Sequence, residues 1–375
     1  MTPSYAIFIY FVLLSVTQGH SLLIGHRGDK VLFPEHSIAS YHGAALLGAD
    51  YVEPDVVLTQ DRVPVCMHDL GLAQTTDIAQ HPEFASRRRQ LTAILYGKLT
   101  TLDDWIVTDF TLAELKSLRL RQAKTGVRLT GYLDHTLQIP TFEEYLDIVL
   151  NMSAKLQRNI GIIPEIKHAN YHATVFNQSH IVEDLVLDAL QRRGLDLHPN
   201  LAPVRQRDLT RIIIQSFEPD VVTYLRSRTS VDIMLLVDTD YSWLTRQGLV
   251  RAAHIGATIL SPWKGILAAG GVRSYLKEAG EPIDEHLIQQ QGGFPDANPL
   301  EFIQTVHRAG LSIIIYTFYD SHEPTQVQHW YTSRREELGA MFKIGVDGLF
   351  VEDVAEAKAI RDEWDLRMNL TKTAW

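Results

Sequence analysis

Eight short runs rich in β-branched and aliphatic residues recur along the chain, with helical patterns between them. This alternation constrains the fold more than any other feature. The runs are 22–25, 51–57, 160–166, 211–217, 232–237, 258–261, 312–318 and 347–351. Most are continuously apolar, as parallel strands buried on both faces are. Ser37 is placed to cap a helix with Ile38, Tyr41, Ala45 and Leu46 on one face. Phe142, Tyr145, Leu146 and Val149 mark a second helix, and Phe302, Val306 and Ala309 before Gly310 a third. Eight strands alternating with helices predict an α/β chain folded as a (β/α)8 TIM barrel.

A further run, 63–67, follows 56–59 after only Gln60-Asp61-Arg62. A connection that short cannot make a parallel crossover. A hairpin is expected, with His68 on a return strand above the second barrel strand. Two stretches exceed a minimal barrel, at about 71–140 and 264–299. Both leave the C-terminal ends of strands, where a barrel builds its site. They read as insertions in the βα loops that shape a substrate cleft. One domain over 20–375 accommodates all of this.

Residues 5–14 are all apolar, a run too short to span a bilayer. Ser15-Val16-Thr17-Gln18-Gly19 then offers small residues where a signal peptidase reads. These features predict a secretory signal over 1–19, cleaved near Gly19–His20. The mature chain is expected to lack a stable membrane anchor and to be secreted, or periplasmic in a bacterium. Cys66 is the only cysteine, so no intramolecular disulfide can form and the fold rests on its core. Sequons at Asn151, Asn177 and Asn369 are compatible with secretion. The net charge is −10 and no long basic stretch occurs, which argues against a nucleic-acid partner.

The chemistry-bearing residues sit on the predicted strands. Residues i and i+2 of a strand share a face. Glu53 and Asp55 can therefore converge, and so can Glu165 and Lys167. Hard divalent cations prefer oxygen donors, and no Cys cluster or His-x-x-x-His helix competes for a softer metal. Three carboxylates and one dication leave a single negative charge, and Lys167 with Arg27 turns the sum positive. A phosphodiester monoanion then brings neutrality, and the extra charge of its transition state is favoured further. Any one of these acids alone reads more often as a structural ion pair or cap. The set together points to a phosphate ester.

The combined pattern resembles the glycerophosphodiester phosphodiesterase family. The matching segments are Gly25-His26-Arg27-Gly28, Pro34-Glu35-His36-Ser37, Gly48-Ala49-Asp50-Tyr51-Val52-Glu53-Pro54-Asp55-Val56, Val63-Pro64-Val65-Cys66-Met67-His68-Asp69, Pro164-Glu165-Ile166-Lys167, Gln215-Ser216-Phe217 and Asp347-Gly348-Leu349-Phe350. They run in the family's order from about 22 to 354. Thr108-Asp109-Phe110-Thr111 resembles the secreted, periplasmic-type branch. The resemblance implies that Glu53, Asp55 and Glu165 bind a divalent metal, Ca²⁺ or Mg²⁺. It implies that Arg27 and Lys167 contact phosphate and that His26 and His68 are the acid–base pair, suited by an imidazole pKa near working pH. His68 is favoured as the acid, because the hairpin holds it above the barrel mouth. Glu35 reads as a partner of Arg27 or His26, or else as a helix-entry residue. Phe217, Tyr316 and Phe318 read as pocket residues.

Three positions depart from the family. Tyr316-Thr317-Phe318 stands where a Trp is frequent, Glu352 where an Asp is frequent, and Arg62 where the hairpin turn often has Gly. The implied reaction takes a small glycerophosphodiester to glycerol 3-phosphate and an alcohol such as choline or ethanolamine. Attack by water and attack by a substrate hydroxyl through a cyclic phosphate both stay open. So do two other functions. One is phospholipase D-like action on lysophospholipid or sphingolipid, with the Trp263 and Phe294 region as an apolar groove. The other is a non-enzymatic surface-binding protein that keeps the fold.

Overall fold

The computed structural model describes residues 20–123, 131, 133–200, 202, 209, 211–238, 240–296, 298–319 and 330–372. The predicted signal segment 1–19, part of the first insertion (124–130 and 132) and the Asn369 side chain lie outside the described residues. In chain order the strands are β1 (Leu22–Gly25), β2 (Tyr51–Val52), β3 (Asp55–Leu58), β4 (Pro64–Cys66), β5 (Arg89–Leu95), β6 (Lys98–Asp104), β7 (Gly161–Ile162), β8 (Glu165–Ile166), β9 (Ile213–Ser216), β10 (Asp232–Val237), β11 (Ile259–Pro262), β12 (Ser312–Phe318) and β13 (Gly348–Val351).

All eight predicted runs carry strand. They form one curled sheet in the order β4-β3-β8-β9-β10-β11-β12-β13-β1-β2-β7. Every pairing in it is parallel except β3 with β4, the expected hairpin, where Val56 faces Cys66. The architecture is an α/β fold resembling a distorted TIM barrel. It is not the regular closed (β/α)8 barrel of eight unbroken strands that the spacing predicted. The second run is split into β2 and β3 at Glu53-Pro54, and the third into β7 and β8 at Ile163-Pro164. Proline has no N–H to give to a ladder. Both prolines still accept: Glu165 N donates to Pro54 O at 2.9 Å, and Gln215 N to Pro164 O at 3.0 Å.

Inside the sheet, Ile24, Ile163, Ile213, Met234, Ile259 and Ile314 form a buried floor. The larger core lies between the sheet and the helices that surround it. The helix Ile38–Leu47 is capped by Ser37, whose hydroxyl accepts from Ser40 N at 3.0 Å. Its buried face is centred on Tyr41 and Ala44, so Leu46 falls on the opposite side and is 54% exposed, against expectation. The helix Phe142–Leu156 buries Phe142, Tyr145, Leu146 and Val149 as predicted, behind a Thr141–Glu144 capping box.

The 71–140 stretch packs around a core of its own that includes Phe84, Trp105, Ile106 and Phe110. From it projects the β5–β6 hairpin. Tyr96 and Gly97 at its turn have φ of +52° and +74°, as a two-residue turn of this hand requires. The 264–299 stretch contains the helices Gly265–Ala268, Val272–Ala279 and Glu285–Gln290. Among the described residues, no helix is long and apolar enough to cross a membrane.

Candidate active site

Glu53, Asp55 and Glu165 converge. One oxygen from each lies within 4.8 Å of the other two, and all three residues are buried. The strand pairing sets this directly, because Asp55 and Glu165 are partners in the parallel β3–β8 register. Burial, then the charges of Asp55 and Glu165, push the Glu53 carboxyl well above the usual carboxylate range. Burial likewise lifts Glu165 to about 8, although Lys167 opposes it. Asp55 goes the other way: burial disfavours its charge, but Lys167, His68 and His36 outweigh burial and hold it well below that range. Asp55 Oδ1 is buried and makes no hydrogen bond. An all-oxygen donor set with an orphaned carboxylate oxygen and two acids raised by burial and by neighbouring carboxylates fits a hard divalent cation.

Two cationic side chains border the cluster. Lys167 is 1% exposed, with its Nζ 2.9 Å from Glu165 Oε1 and 3.8 Å from Asp55 Oδ1. Arg27 places Nε 3.4 Å from Asp55 Oδ2, and its backbone N donates to Glu53 Oε2 at 2.7 Å. Arg27 has φ of +59°, a left-handed conformation that points its backbone N–H into the site. Glu35 accepts from Arg27 Nη1 at 3.0 Å, so of its two predicted partners it holds the arginine. That contact adds a negative charge the simple sum above left out, and the cluster is less positive than counted. Arg27, then Lys30, outweigh burial and keep Glu35 at about 2.

Both histidines present Nδ1 to a carboxylate. His26 Nδ1 is 3.5 Å from Glu352 Oε1, and His68 Nδ1 is 2.8 Å from Asp69 Oδ1. Burial first, and Arg27 next, lower His26 to about 3. Burial, Arg27 and Lys167 lower His68 as well, while Asp69 and Asp55 oppose them. Lys30 links the two halves of this region. Its Nζ is 2.5 Å from Glu352 Oε1 and 4.0 Å from Glu35 Oε2.

A cleft of about 470 Å³ opens beside Glu165, lined also by Tyr96, His168, Phe217, Asp238 and Trp243. Phe217 is one of the predicted pocket residues, and the Lys167 ammonium is 5.8 Å from its ring centre. Tyr316 packs edge-on against Phe217 at 5.9 Å and donates its hydroxyl to Val237 O at 2.8 Å. Phe318 is buried in the outer core, with Lys264 Nζ 4.9 Å from its ring centre. Phe294 is also in that core at 5% exposure, so it does not line an open apolar groove with Trp263 as anticipated.

Sequence reasoning missed several close neighbours. His36 Nε2 sits 2.9 Å from Asp55 Oδ2, with Nδ1 2.8 Å from the Tyr41 hydroxyl. Gln215 Nε2 donates to Glu53 Oε1 at 3.2 Å. Both lie in quoted motif segments, so a signal was present. Tyr96 lies in none; its signal is a Tyr-Gly turn between two runs of alternating pattern. The link from Lys30 to Glu352 has no local signal.

A glycerophosphodiester phosphodiesterase of Arabidopsis thaliana, GDPD6, is 27% identical over 344 residues, covering 88% of this chain and 82% of that one. An Oleispira antarctica phosphodiesterase, solved in complex with the product sn-glycerol-3-phosphate, shares the fold with a TM-score of 0.57 at 17% identity, over 92% of this chain and 97% of that chain. A glycerophosphodiester phosphodiesterase from Parabacteroides distasonis does so with a TM-score of 0.52 at 17% identity, over 92% and 99%. The sequence model of the Glycerophosphoryl diester phosphodiesterase family matches residues 26–356, a span that holds both histidines, the three carboxylates and Lys167, and the chain is an enzyme that belongs to that family.

Proposed function

We propose that the chain hydrolyses small glycerophosphodiesters to glycerol 3-phosphate and an alcohol. The observation that carries this reading is the convergence of Glu53, Asp55 and Glu165 within 4.8 Å of one another, with Lys167 against them. The three carboxylates would hold Ca²⁺ or Mg²⁺, which supplies positive charge against the phosphate oxygens. Arg27 and Lys167 contact the remaining phosphate oxygens and orient the ester.

His26 acts as the base. It is held neutral by burial and by Arg27, and its Nδ1 is turned toward Glu352, which leaves Nε2 for the attacking water. The water gives its proton to Nε2 as its oxygen bonds to phosphorus, the bond from phosphorus to the alcohol oxygen breaks, and His68 protonates that oxygen. Asp69, 2.8 Å from His68 Nδ1, supports the imidazolium. A bound diester also brings negative charge that offsets Arg27 and Lys167, the charges that lower His68. Turnover of glycerophosphocholine with and without a chelator tests the reading. Full activity without a cation would sink it.

A second reading is action on lysophospholipids. Ile94 lines the cleft at 69% exposure, and its cross-strand partner Leu99 is 77% exposed. Assaying soluble and acyl-bearing substrates side by side separates the two. We also propose that the chain is one secreted domain, cleaved near Gly19–His20. The apolar run 5–14, the small residues after it, and the exposed sequon residues Asn151 and Asn177 support this. Amino-terminal sequencing of secreted material tests it; an intact Met1 in a membrane pellet counts against it.

A further inference from the structure

The β5–β6 hairpin carries one side chain into the site that the acid–base pair, the carboxylates and the phosphate cations do not account for. Tyr96 stands in the hairpin's two-residue turn at φ of +52°, so the turn geometry fixes its direction. Its ring packs edge-on against His168 at 4.7 Å and Phe217 at 5.3 Å. The Lys167 ammonium lies 4.8 Å from the ring centre. Tyr96 and Glu165 line the same cleft.

The Tyr96 hydroxyl is buried, with the Lys167 ammonium as its polar neighbour and no acceptor for its hydrogen. A buried hydroxyl left in that state is disfavoured, and native proteins rarely tolerate it without a ligand or water to complete it. The Lys167 ammonium can donate only to the phenol oxygen, so it leaves the hydroxyl hydrogen without an acceptor. Burial raises the phenol above its ordinary range and keeps it protonated as a donor, and Lys167, Glu165 and Asp55 are the charges that act on it. What is missing beside Lys167 is an acceptor, and a phosphate oxygen is the acceptor a lysine in that place attracts.

We propose that Tyr96 donates its hydroxyl hydrogen to a phosphate oxygen of the bound diester, alongside Lys167. The insertion hairpin then completes the phosphate site as well as walling the cleft. This rests on the phosphodiesterase reading above. It adds a ligand that lies outside every segment carrying the family pattern.

The test compares wild type, Y96F and Y96L in two measurements. One is calorimetric binding of glycerol 3-phosphate in the presence of Ca²⁺. The other is kcat and KM on glycerophosphocholine. Y96F removes one oxygen and keeps the ring, so its melting temperature is expected to match wild type. Its affinity for glycerol 3-phosphate and its kcat/KM are expected to fall about 10- to 100-fold, the range of a hydrogen bond to a charged group. Y96F that binds and turns over like wild type overturns the proposal, and a loss confined to Y96L would then assign the residue to packing alone. If wild type binds glycerol 3-phosphate but does not hydrolyse the ester, the functional reading falls, and the binding loss in Y96F still decides the role of Tyr96. A wild type that neither binds glycerol 3-phosphate nor hydrolyses the ester overturns both.

Discussion

Asp55 and Glu165 face each other as Cα partners across β3 and β8, and Glu165 in turn faces Gln215 on β9. Three neighbouring strands thus bring a polar side chain to one level. Gln215 closes the row by donating to Glu53 at 3.2 Å. The backbone register holds Asp55 and Glu165 opposite each other, which keeps their carboxylates close.

That constraint has a pH signature. Without a cation, Glu165 holds its proton to about 8, against 4.5 for the free side chain. The folded chain then binds this proton more tightly than the unfolded chain, so stability is lost as pH rises through that interval. The melting temperature of chelated wild type is expected to fall between about pH 5 and pH 8, and that of E165Q to fall less. Added Ca²⁺ should reverse the order, since it rewards the charged form. A chelated wild type with a flat profile would show that burial and the Asp55 charge do not raise Glu165.

His36 fixes the orientation of Asp55 through the 2.9 Å contact to Oδ2. Removing a partner of this kind typically costs about 10- to 100-fold in metal affinity. H36A is expected to bind Ca²⁺ that much more weakly in a calorimetric titration, with the fold retained. Equal affinity would show that Asp55 is held by Arg27 and Lys167 alone.

The two histidines should separate by leaving group. Loss of a general acid or base costs about 10²- to 10⁴-fold. H26A and H68A are both expected to lose turnover on glycerophosphocholine while keeping Ca²⁺ affinity. On a nitrophenyl ester, whose leaving group departs without a proton, H68A should recover and H26A should not. Recovery of H26A instead would exchange their roles.

Gly28 follows Arg27 at φ of +85°, and a Cβ there would meet Ser40 Cβ at 2.7 Å. G28A combines a backbone conformation that disfavours side chains with a clash against the helix start. We expect a loss of about 1–3 kcal/mol from the conformation, and more from the clash. Denaturant unfolding measures it, and G28A as stable as wild type would mean that the turn relaxes freely.

The parts of the site that were legible in the sequence depend on local period. Glu53 with Asp55, and Glu165 with Lys167, share a face because strand residues alternate, and that alternation survives the breaks at Pro54 and Pro164. The prolines were visible too, but their effect on the ladder depends on what the neighbouring strand offers. Leu46 looked buried because it is apolar and helically spaced; the sheet approaches the helix from the side of Ala44. Phe318 ends β12 and Phe294 lies in a loop between two helices, yet both pack into the outer core. Lys30 and Glu352 meet only after the first and last strands pair, and no spacing rule carries that contact.

The hairpin bearing Tyr96 rises from a stretch with its own core around Phe84, Trp105, Ile106 and Phe110, apart from the floor built on Ile24 and Ile213. Inheritance can act on the two separately. A rewritten hairpin would reshape the cleft and move Tyr96 while the strand register behind the carboxylate row stays in place. Swapping the hairpin between relatives would therefore alter the cleft wall without disturbing the carboxylates.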